Sequence, residues 1–473
     1  MSLSEVFIRQ MADLLGEDAE AFFAALAESV PVSIRLNPVK VNPTEITIVS
    51  TPYAEAVPWS SFGYYLPERP SFTFDPLLHA GCYYVQEASS MFVEQALRRA
   101  LELLDPKQET GVSMLDLCAA PGGKSTLALS VLPEGSLLVA NELIRTRANI
   151  LAENLIKWGD PNVIVTQSDP SAFTGLTGLF DIILTDVPCS GEGMFRKDSN
   201  AIDEWSVNNV ALCASRQKDI LTNCWPALRP GGFLIYSTCT YNTTEDESTI
   251  QWLCENLGAR VVDIPLQENW GIAGATKGYD GLSVCHFFPH RTKGEGFFLT
   301  LLQKPDDVSS SIQCLATGRN GKNRMPGKPS KRDQPIPATA RQLLKFSDRF
   351  DFSFDRMGRI RAFDKSHLAC LQQLETCLRI VHAGVTVGEI KGKDLLPDPS
   401  LALSTALEET SVNCFELSKD QAISFLRRES LILPETCQRG WVLMTFQHHP
   451  LGWMKNIGAR ANNAWPNEWR IRT

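Results

Sequence analysis

Residues 112–142 read VSMLDLCAAPGGKSTLALSVLPEGSLLVANE. A short apolar run, VSMLDL (112–117), meets a loop of small residues, CAAPGGK (118–124), and a helix is expected from about Ser125. SLLVANE (136–142) repeats the buried-strand pattern one helix later. The alternation continues outward. IRTRANILAENLIKWG (144–159) reads as a helix, NVIVTQSD (162–169) and FDIILTD (180–186) as strands, VALCASRQKDILTNCWPAL (210–228) as a helix, and GGFLIYSTC (231–239) as a fifth strand. Continuous apolar strands joined by helices predict an α/β fold whose mostly parallel sheet is covered on both faces. ARVVDI (259–264) and GEGFFLTLLQ (294–303) would complete seven strands.

The flanks are of other kinds. Residues 1–30 predict one or two helices with Phe22, Phe23, Leu26 and Val30 as a buried stripe, a folded start and not a secretory signal. The Pro- and aromatic-rich span 50–80 predicts short strands and turns, and 86–103 a helix, so 1–108 is expected to be an α+β cap. Residues 305–340 are rich in Ser, Gly, Pro and Lys/Arg and are expected to be a basic linker or mobile loop. From Leu315 to Arg349 nine Lys/Arg oppose two Asp, a local charge of +7. Beyond 340, strand-like runs alternate with turns and one helix near Lys419–Arg428. No internal repeat is visible.

At 473 residues the chain exceeds what one core commonly serves, so several domains are expected. Hydrophobic residues at 44% and charged residues at 21% fit an ordinary globular protein and exclude dominant disorder. No apolar run approaches a membrane span. A net charge of −9 argues against indiscriminate coating of nucleic acid but leaves room for a local basic groove. The 13 cysteines form no CxxC pair and no zinc-finger spacing, so reduced thiols in cytoplasm and no metal are expected.

Loop 118–124 lies at the carboxyl end of a strand, where open α/β sheets bind ligands. Neither GxxxxGK[ST] nor GxGxxG is present. Glu142, Asp169 and Asp186 end the next three strands. A carboxylate after the second strand suits a ribose diol, and the next can accept from an adenine amino group. Each could equally be a helix N-cap or turn acid. S-adenosylmethionine fits this set at least as well as a dinucleotide.

Two thiols follow strand ends: Cys189 in DVPCSGEG (186–193) and Cys239 in STCT (237–240). Adjacent strands would bring both to one edge of the sheet, beside the cofactor crevice. A thiolate adding to C6 of a pyrimidine makes C5 enamine-like and able to accept a methyl group, provided an acid supports charge at N3. Cys239 and Asp186 could supply that set, and a second thiol could assist release.

On DLCAAPGGKST (116–126), NE (141–142), DVPCSGEG (186–193), RQ (216–217), LRPGG (228–232) and YSTCT (236–240), the chain resembles the Sun and Fmu family of RNA cytosine-5 methyltransferases. YYVQEASSM (83–91) and SIRLNP (33–38) resemble family elements too. The resemblance spans roughly residues 30–303 and implies a class I Rossmann-like methyltransferase domain over 109–304. It implies that Cys239 is the nucleophile, that Cys189 resolves the adduct, that Asp186 contacts the cytosine, and that Lys124 lies near the active-site carboxylates. It further implies that Cys118, Ala119, Ala120, Pro121, Gly122, Gly123 and Lys124 bound S-adenosylmethionine, with Glu142 at its ribose, Asp169 near its adenine, and Arg147 and Asp186 also lining the site.

The layout resembles the bacterial RsmF (YebU) group of that family, whose members methylate the decoding region of small-subunit ribosomal RNA. CFELSKDQAISFLRRESL (414–431) and GWVLMTFQHHPLGWMKNIGARANNAWPNEWR (440–470) resemble its C-terminal region, so 341–473 is expected to bind RNA and include a PUA-like module. Lys455, Arg460, Arg470 and Arg472 would meet phosphates, and Trp453, Trp465 and Trp469 would either stack on bases or fill a core. Arg35 and Asn37 are expected on an RNA-facing surface. The partner so implied is 16S rRNA or the 30S subunit, met by a cytoplasmic monomer that binds neither DNA nor membrane. A transfer RNA cytosine-5 enzyme is the closest rival reading. A silent ribosome assembly factor would be expected to lack the TC cysteine or the cofactor loop, and a dinucleotide oxidoreductase leaves both thiols unexplained.

Overall fold

The computed structural model describes residues 3–42, 55–104, 111–306, 335–392 and 394–472. In the cap, helices α1 (Glu5–Leu15) and α2 (Ala19–Leu26) precede a three-stranded sheet. That sheet is β1 (Val32–Leu36), β2 (Gly63–Leu66) and β3 (Tyr83–Val85), in the order β2-β1-β3, with the short helix α3 (Pro76–His79) before β3. Helix α4 (Val93–Leu103) then leads into the central sheet.

The alternation read from 112 onward is present. It gives β4 (Ser113–Asp116), α5 (Gly123–Leu129), β5 (Leu137–Asn141), α6 (Arg145–Trp158), β6 (Val163–Thr166) and β7 (Phe180–Asp186). Helices α7 (Ser199–Glu204) and α8 (Val207–Cys224), β8 (Leu228–Thr238), α9 (Glu247–Leu257), β9 (Arg260–Val262), β10 (Cys285–Phe287) and β11 (Phe297–Gln303) follow. Strands β6, β5, β4, β7 and β8 pair in parallel, and β11 adds antiparallel to β8. All of β5 is buried, as expected of a strand with helices on both sides. One apolar cluster joins α4, α5 and α6 to one face of the sheet, and a second joins α8 and α9 to the other.

The sheet has nine strands where seven were expected. One addition is β10, three residues in an aromatic run too short to show a period. The other comes from beyond 340, where the chain continues as α10 (Ala338–Gln342), β12 (Phe350–Phe354), β13 (Arg359–Asp364), α11 (Leu368–Cys377) and β14 (Ile380–Ala383). Strand β14 returns to pair antiparallel with β6, so the sheet crosses the expected boundary at 304. The strands β15 (Val385–Lys391) and β16 (Asp394–Pro397) complete a sheet ordered β12-β13-β15-β16. After α12 (Pro399–Leu403), a last sheet holds β17 (Asn413–Glu416), β18 (Gly440–Phe446), β19 (His449–Asn456) and β20 (Ala461–Asn463). Helix α13 (Lys419–Leu426) starts on a capping box made by Ser418 and Gln421. The single helix expected after 340 is thus one of four among the described residues: α10 and α12, of five residues each, are too short to show a period, while α11 was missed although Leu368, Leu371 and Leu374 recur at helical spacing.

Arg35 and Asn37 are not on a surface: they are 0% and 1% exposed. Arg35 donates to the carbonyls of Gly123 and Thr126, to the Thr126 and Ser130 hydroxyls and to Gln86, and lies 4.6 Å over the Trp158 ring. Asn37 donates to the Gly81 and Trp158 carbonyls, and Lys40 to those of Ala80 and Lys157. These donors of RLNPVK reach backbone carbonyls of α5, of the turn after α3 and of the end of α6, the last being a helix C-terminus, where cations and amides are favoured. The segment fastens the cap to the central sheet. Most of the expected basic linker, 307–334, lies outside the described residues. Among the described residues no helix is long and apolar enough to cross a membrane, and no cysteine is in a disulfide.

Candidate active site

Strands β4 and β7 are neighbours whose connections leave to opposite faces, so a crevice opens at their carboxyl ends. A cleft of about 750 Å³ occupies it, within the size of small-molecule sites. Cys118, Ala120, Glu142, Arg147, Asp169, Asp186, Cys189 and Cys239 line it together. Ala119, Pro121, Gly123 and Lys124 line an adjoining hollow of about 180 Å³, shared with Cys118, Ala120 and Asp186. Gly122 lines neither; its φ of 115° turns the loop into α5, a conformation open to glycine.

Register sets the chemistry. Asp186 lies opposite Ser237 in the β7–β8 ladder, so the residues just after each strand share one edge. Ser237 donates its hydroxyl to one Asp186 oxygen at 2.8 Å, and the Lys124 ammonium pairs with the other at 2.8 Å. Burial works against the Lys124 charge, but Asp186 outweighs it and raises the ammonium's pKa. The sulfurs of Cys189 and Cys239 are 3.2 Å apart, and the Cys239 N–H donates to the Cys189 sulfur at 3.4 Å. The hydrogen bond to Cys239, reinforced by burial, pushes the Cys189 thiol well above its ordinary range.

The acids at the other strand ends are turn acids that also line the cleft. Asp169 caps a single 3-10 turn, its Oδ1 accepting from the Ser171 N–H and hydroxyl, yet it also lines the cleft. Glu142 is 5% exposed, accepts the Ile144 N–H and pairs with Arg147 at 3.3 Å. Arg147 also donates to the Ala120 carbonyl, so it ties the loop to the start of α6. Asp116, fully buried behind Ser125, is pushed up to about 7 by burial, and its Oδ1 has no partner among the described residues.

Sequence reading missed two features of the cleft. Asn141 stitches three strand ends: its amide donates to the Leu117 and Ser168 carbonyls while its oxygen accepts from Thr166 and Ser168. Leu143 and Ile144 line the cleft as large apolar side chains about half exposed. The apolar pair directly after a strand-end acid was the available signal for a flat apolar wall.

The residues present fit S-adenosylmethionine. The cleft offers a carboxylate for a diol, apolar walls at Leu143, Ile144 and Pro170, and three acids, Glu142, Asp169 and Asp186, that favour a cationic ligand over a pyrophosphate. Among the described residues no cluster of His, Cys, Asp and Glu could hold a metal ion.

Three family models match the chain: 16S rRNA methyltransferase RsmB/F over residues 101–303, the N-terminal domain of 16S rRNA methyltransferase RsmF over 3–88, and the methyltransferase RsmF PUA domain over 412–471. Ribosomal RNA small subunit methyltransferase F of Escherichia coli is 31% identical over 98% of this chain and 96% of its own length. The Citrobacter koseri protein of the same name is 30% identical over the same shares. A solved methyltransferase homolog from Pyrococcus horikoshii is 27% identical, with a TM-score of 0.54 over 64% of this chain and 95% of its own. NSun6 from Pyrococcus horikoshii, solved with SFG, shares the fold at 20% identity, with a TM-score of 0.53 over 64% of this chain and 98% of its own.

Proposed function

Since the chain belongs to the RsmB/F family of S-adenosylmethionine-dependent 16S rRNA methyltransferases, we propose that it methylates C5 of one cytosine in the decoding region of small-subunit rRNA through a covalent Cys239–C6 adduct. The observation that carries this reading is the pair of thiols 3.2 Å apart, beside an acid held by Lys124 and Ser237 at the mouth of the cofactor cleft. A methyl donor alone needs no such pair.

S-adenosylmethionine supplies an electrophilic methyl group next to a sulfonium. The Glu142 carboxylate would hold its ribose, Asp169 and the Leu143–Ile144 wall its adenine, and the 118–124 loop its remaining edge. The target base must leave its stack to reach the thiols. Asp186 would meet the N3 edge of the ring, and Lys124 and Ser237 fix the orientation of its carboxyl group. The Cys239 sulfur adds to C6, which makes C5 nucleophilic.

The role of Cys189 rests on its position: its sulfur lies 3.2 Å from that of Cys239 and so faces the base once Cys239 is bonded to C6 and C5 has taken the methyl group. Having given its own proton to solvent, it can act there as a base. It is then placed to take the C5 proton, after which the C6–S bond breaks and frees Cys239.

The cap, 1–108, and the C-terminal region, 341–473, would present the RNA to this centre. Trp453 and Trp465 do not stack on bases, because they are 2% and 1% exposed and fill cores. Trp469 is half-buried against Trp465. Arg460, Arg470 and Arg472 are exposed and free to meet phosphates, while Lys455 is drawn to Asp394.

Incubating the protein with labelled S-adenosylmethionine and 16S rRNA, 30S subunits or transfer RNA, followed by nucleoside analysis, tests the proposal. Label in 5-methylcytidine from 16S rRNA or 30S subunits is expected. Label confined to transfer RNA would keep the chemistry and overturn the substrate. Label in any other nucleoside would overturn the chemistry.

A further inference from the structure

Each of the two cysteine loops carries a buried carboxylate that neither the cofactor cleft nor the proposed chemistry uses. Glu192 belongs to the loop of Cys189 and is 1% exposed. It accepts from the other loop: the Thr240 hydroxyl at 2.5 Å, the Tyr241 N–H at 2.9 Å and the Asn242 N–H at 3.1 Å. Glu245 follows Cys239 and is 0% exposed. It accepts the Ser190 N–H, next to Cys189, at 3.0 Å, and the Gln217 amide at 2.8 Å. The Asn242 amide lies between the two acids, 3.0 Å from Glu192 and 2.9 Å from Glu245.

We propose that Glu192 and Glu245 form a reciprocal clasp that sets the separation of the two reacting sulfurs, making both acids positioning residues for the methyl transfer. The purpose assigned to the clasp rests on the reading of Cys239 as attacking thiol and Cys189 as resolving thiol. Its geometry does not.

Three observations carry it. The acceptances cross from loop to loop, so neither loop can shift along its strand without breaking bonds to the other. The direct links are weaker: Gly193 N–H donates to the Cys239 carbonyl at 2.9 Å, and the Ser190 and Thr240 hydroxyls meet at 3.2 Å. The donors to both acids are neutral groups: backbone N–H, hydroxyl, amide and the Trp205 indole. Burying a carboxylate without a cation is costly, and a neutral link would serve if only loop closure were needed. Charge-assisted bonds are shorter and stiffer, so a carboxylate holds the two loops more tightly than a neutral acceptor would.

The test uses the full chain with Glu192→Gln and Glu245→Gln, and reads the thiol separation directly. Diamide oxidises two adjacent thiols to a disulfide and is itself reduced to the hydrazine. The rate of Cys189–Cys239 closure, mapped by peptide mass analysis, is expected to be fast in the parent and about tenfold slower in either variant. Methyl transfer is expected to fall by a similar factor, with a longer-lived RNA–protein adduct. If a Gln variant fails to fold, Thr240→Val, which removes one donor to Glu192, is expected to slow closure by about threefold. Closure and adduct lifetime at parental values in folded variants would overturn the clasp, even if activity fell. Methyl transfer by Cys239→Ala would overturn the functional reading instead, leaving the closure rates to decide the clasp.

Discussion

At the scale of single residues, Cys189 and Cys239 are alike in type and differ in surroundings. Replacing Cys239 by Ala is expected to abolish transfer, as measured by labelled methyl incorporation into 16S rRNA. Replacing Cys189 by Ala is expected to leave attack intact and block release, so an RNA–protein complex that survives denaturing electrophoresis should accumulate. Lys124→Met removes the cation beside Asp186. It is expected to lower kcat about a hundredfold with a smaller loss in binding of S-adenosylmethionine, which calorimetry can separate. Much of this was legible because acids and thiols directly after buried strands must share one sheet edge. Asp169 shows why two readings of one residue need not compete: one oxygen caps a turn while the residue lines the cleft. Arg35 was misread because it alternates with the apolar Ile34 and Leu36 and shares a strand face with Ser33 and Asn37, a pattern that looks solvated. Its burial depends on carbonyls of α5 and on Trp158, far along the chain.

At the scale of elements, β1 carries the cap's grip on α5. Burial pushes Arg35 down to about 9, so the guanidinium is charged at neutral pH, and its loss removes bonds to two carbonyls, two hydroxyls and the Gln86 side chain. Arg35→Met is expected to destabilise the protein by about 2–4 kcal/mol, measured by urea unfolding. Strand β14 was not visible as part of the central sheet, because edge pairing with β6 leaves no mark on local periodicity. It contributes a titration. Burial lowers His382 on β14 to about 4 and His79 on α3 to about 3, against about 6.5 in an unfolded chain. The unfolded state therefore binds more protons below pH 6.5. The stability linked to these residues is complete above that value and is lost as pH falls toward 4, by about 1.4 kcal/mol per pH unit and per group. Unfolding measured from pH 7 to 4 is expected to show that slope, and His382→Gln to make it shallower.

At the scale of the whole molecule, the end of α6 is where three parts of the chain meet. Lys157 and Trp158 receive Lys40 and Asn37 from the cap, and the Gly159 carbonyl receives the Thr405 N–H from the C-terminal region. The last sheet packs in one core with the cap and in another with the β12–β16 sheet. The linear division into cap, central α/β unit and C-terminal region was drawn from composition and resemblance; the shared sheet and cores could not be, since they arise from contacts distant in sequence. A chain ending at residue 340 would bare the edge of β6 and the apolar face of the cap. It is expected to give little soluble protein, or a melting temperature well below that of the full chain. The proposed reaction joins one base to one sulfur. Bisulfite sequencing of small-subunit rRNA from cells lacking this gene, restored with the parent or with Cys239→Ala, reads both at once. One cytosine mark in the decoding region, restored only by the parent, is the expected result. Restoration by Cys239→Ala, or no change at any cytosine of that RNA, would contradict it.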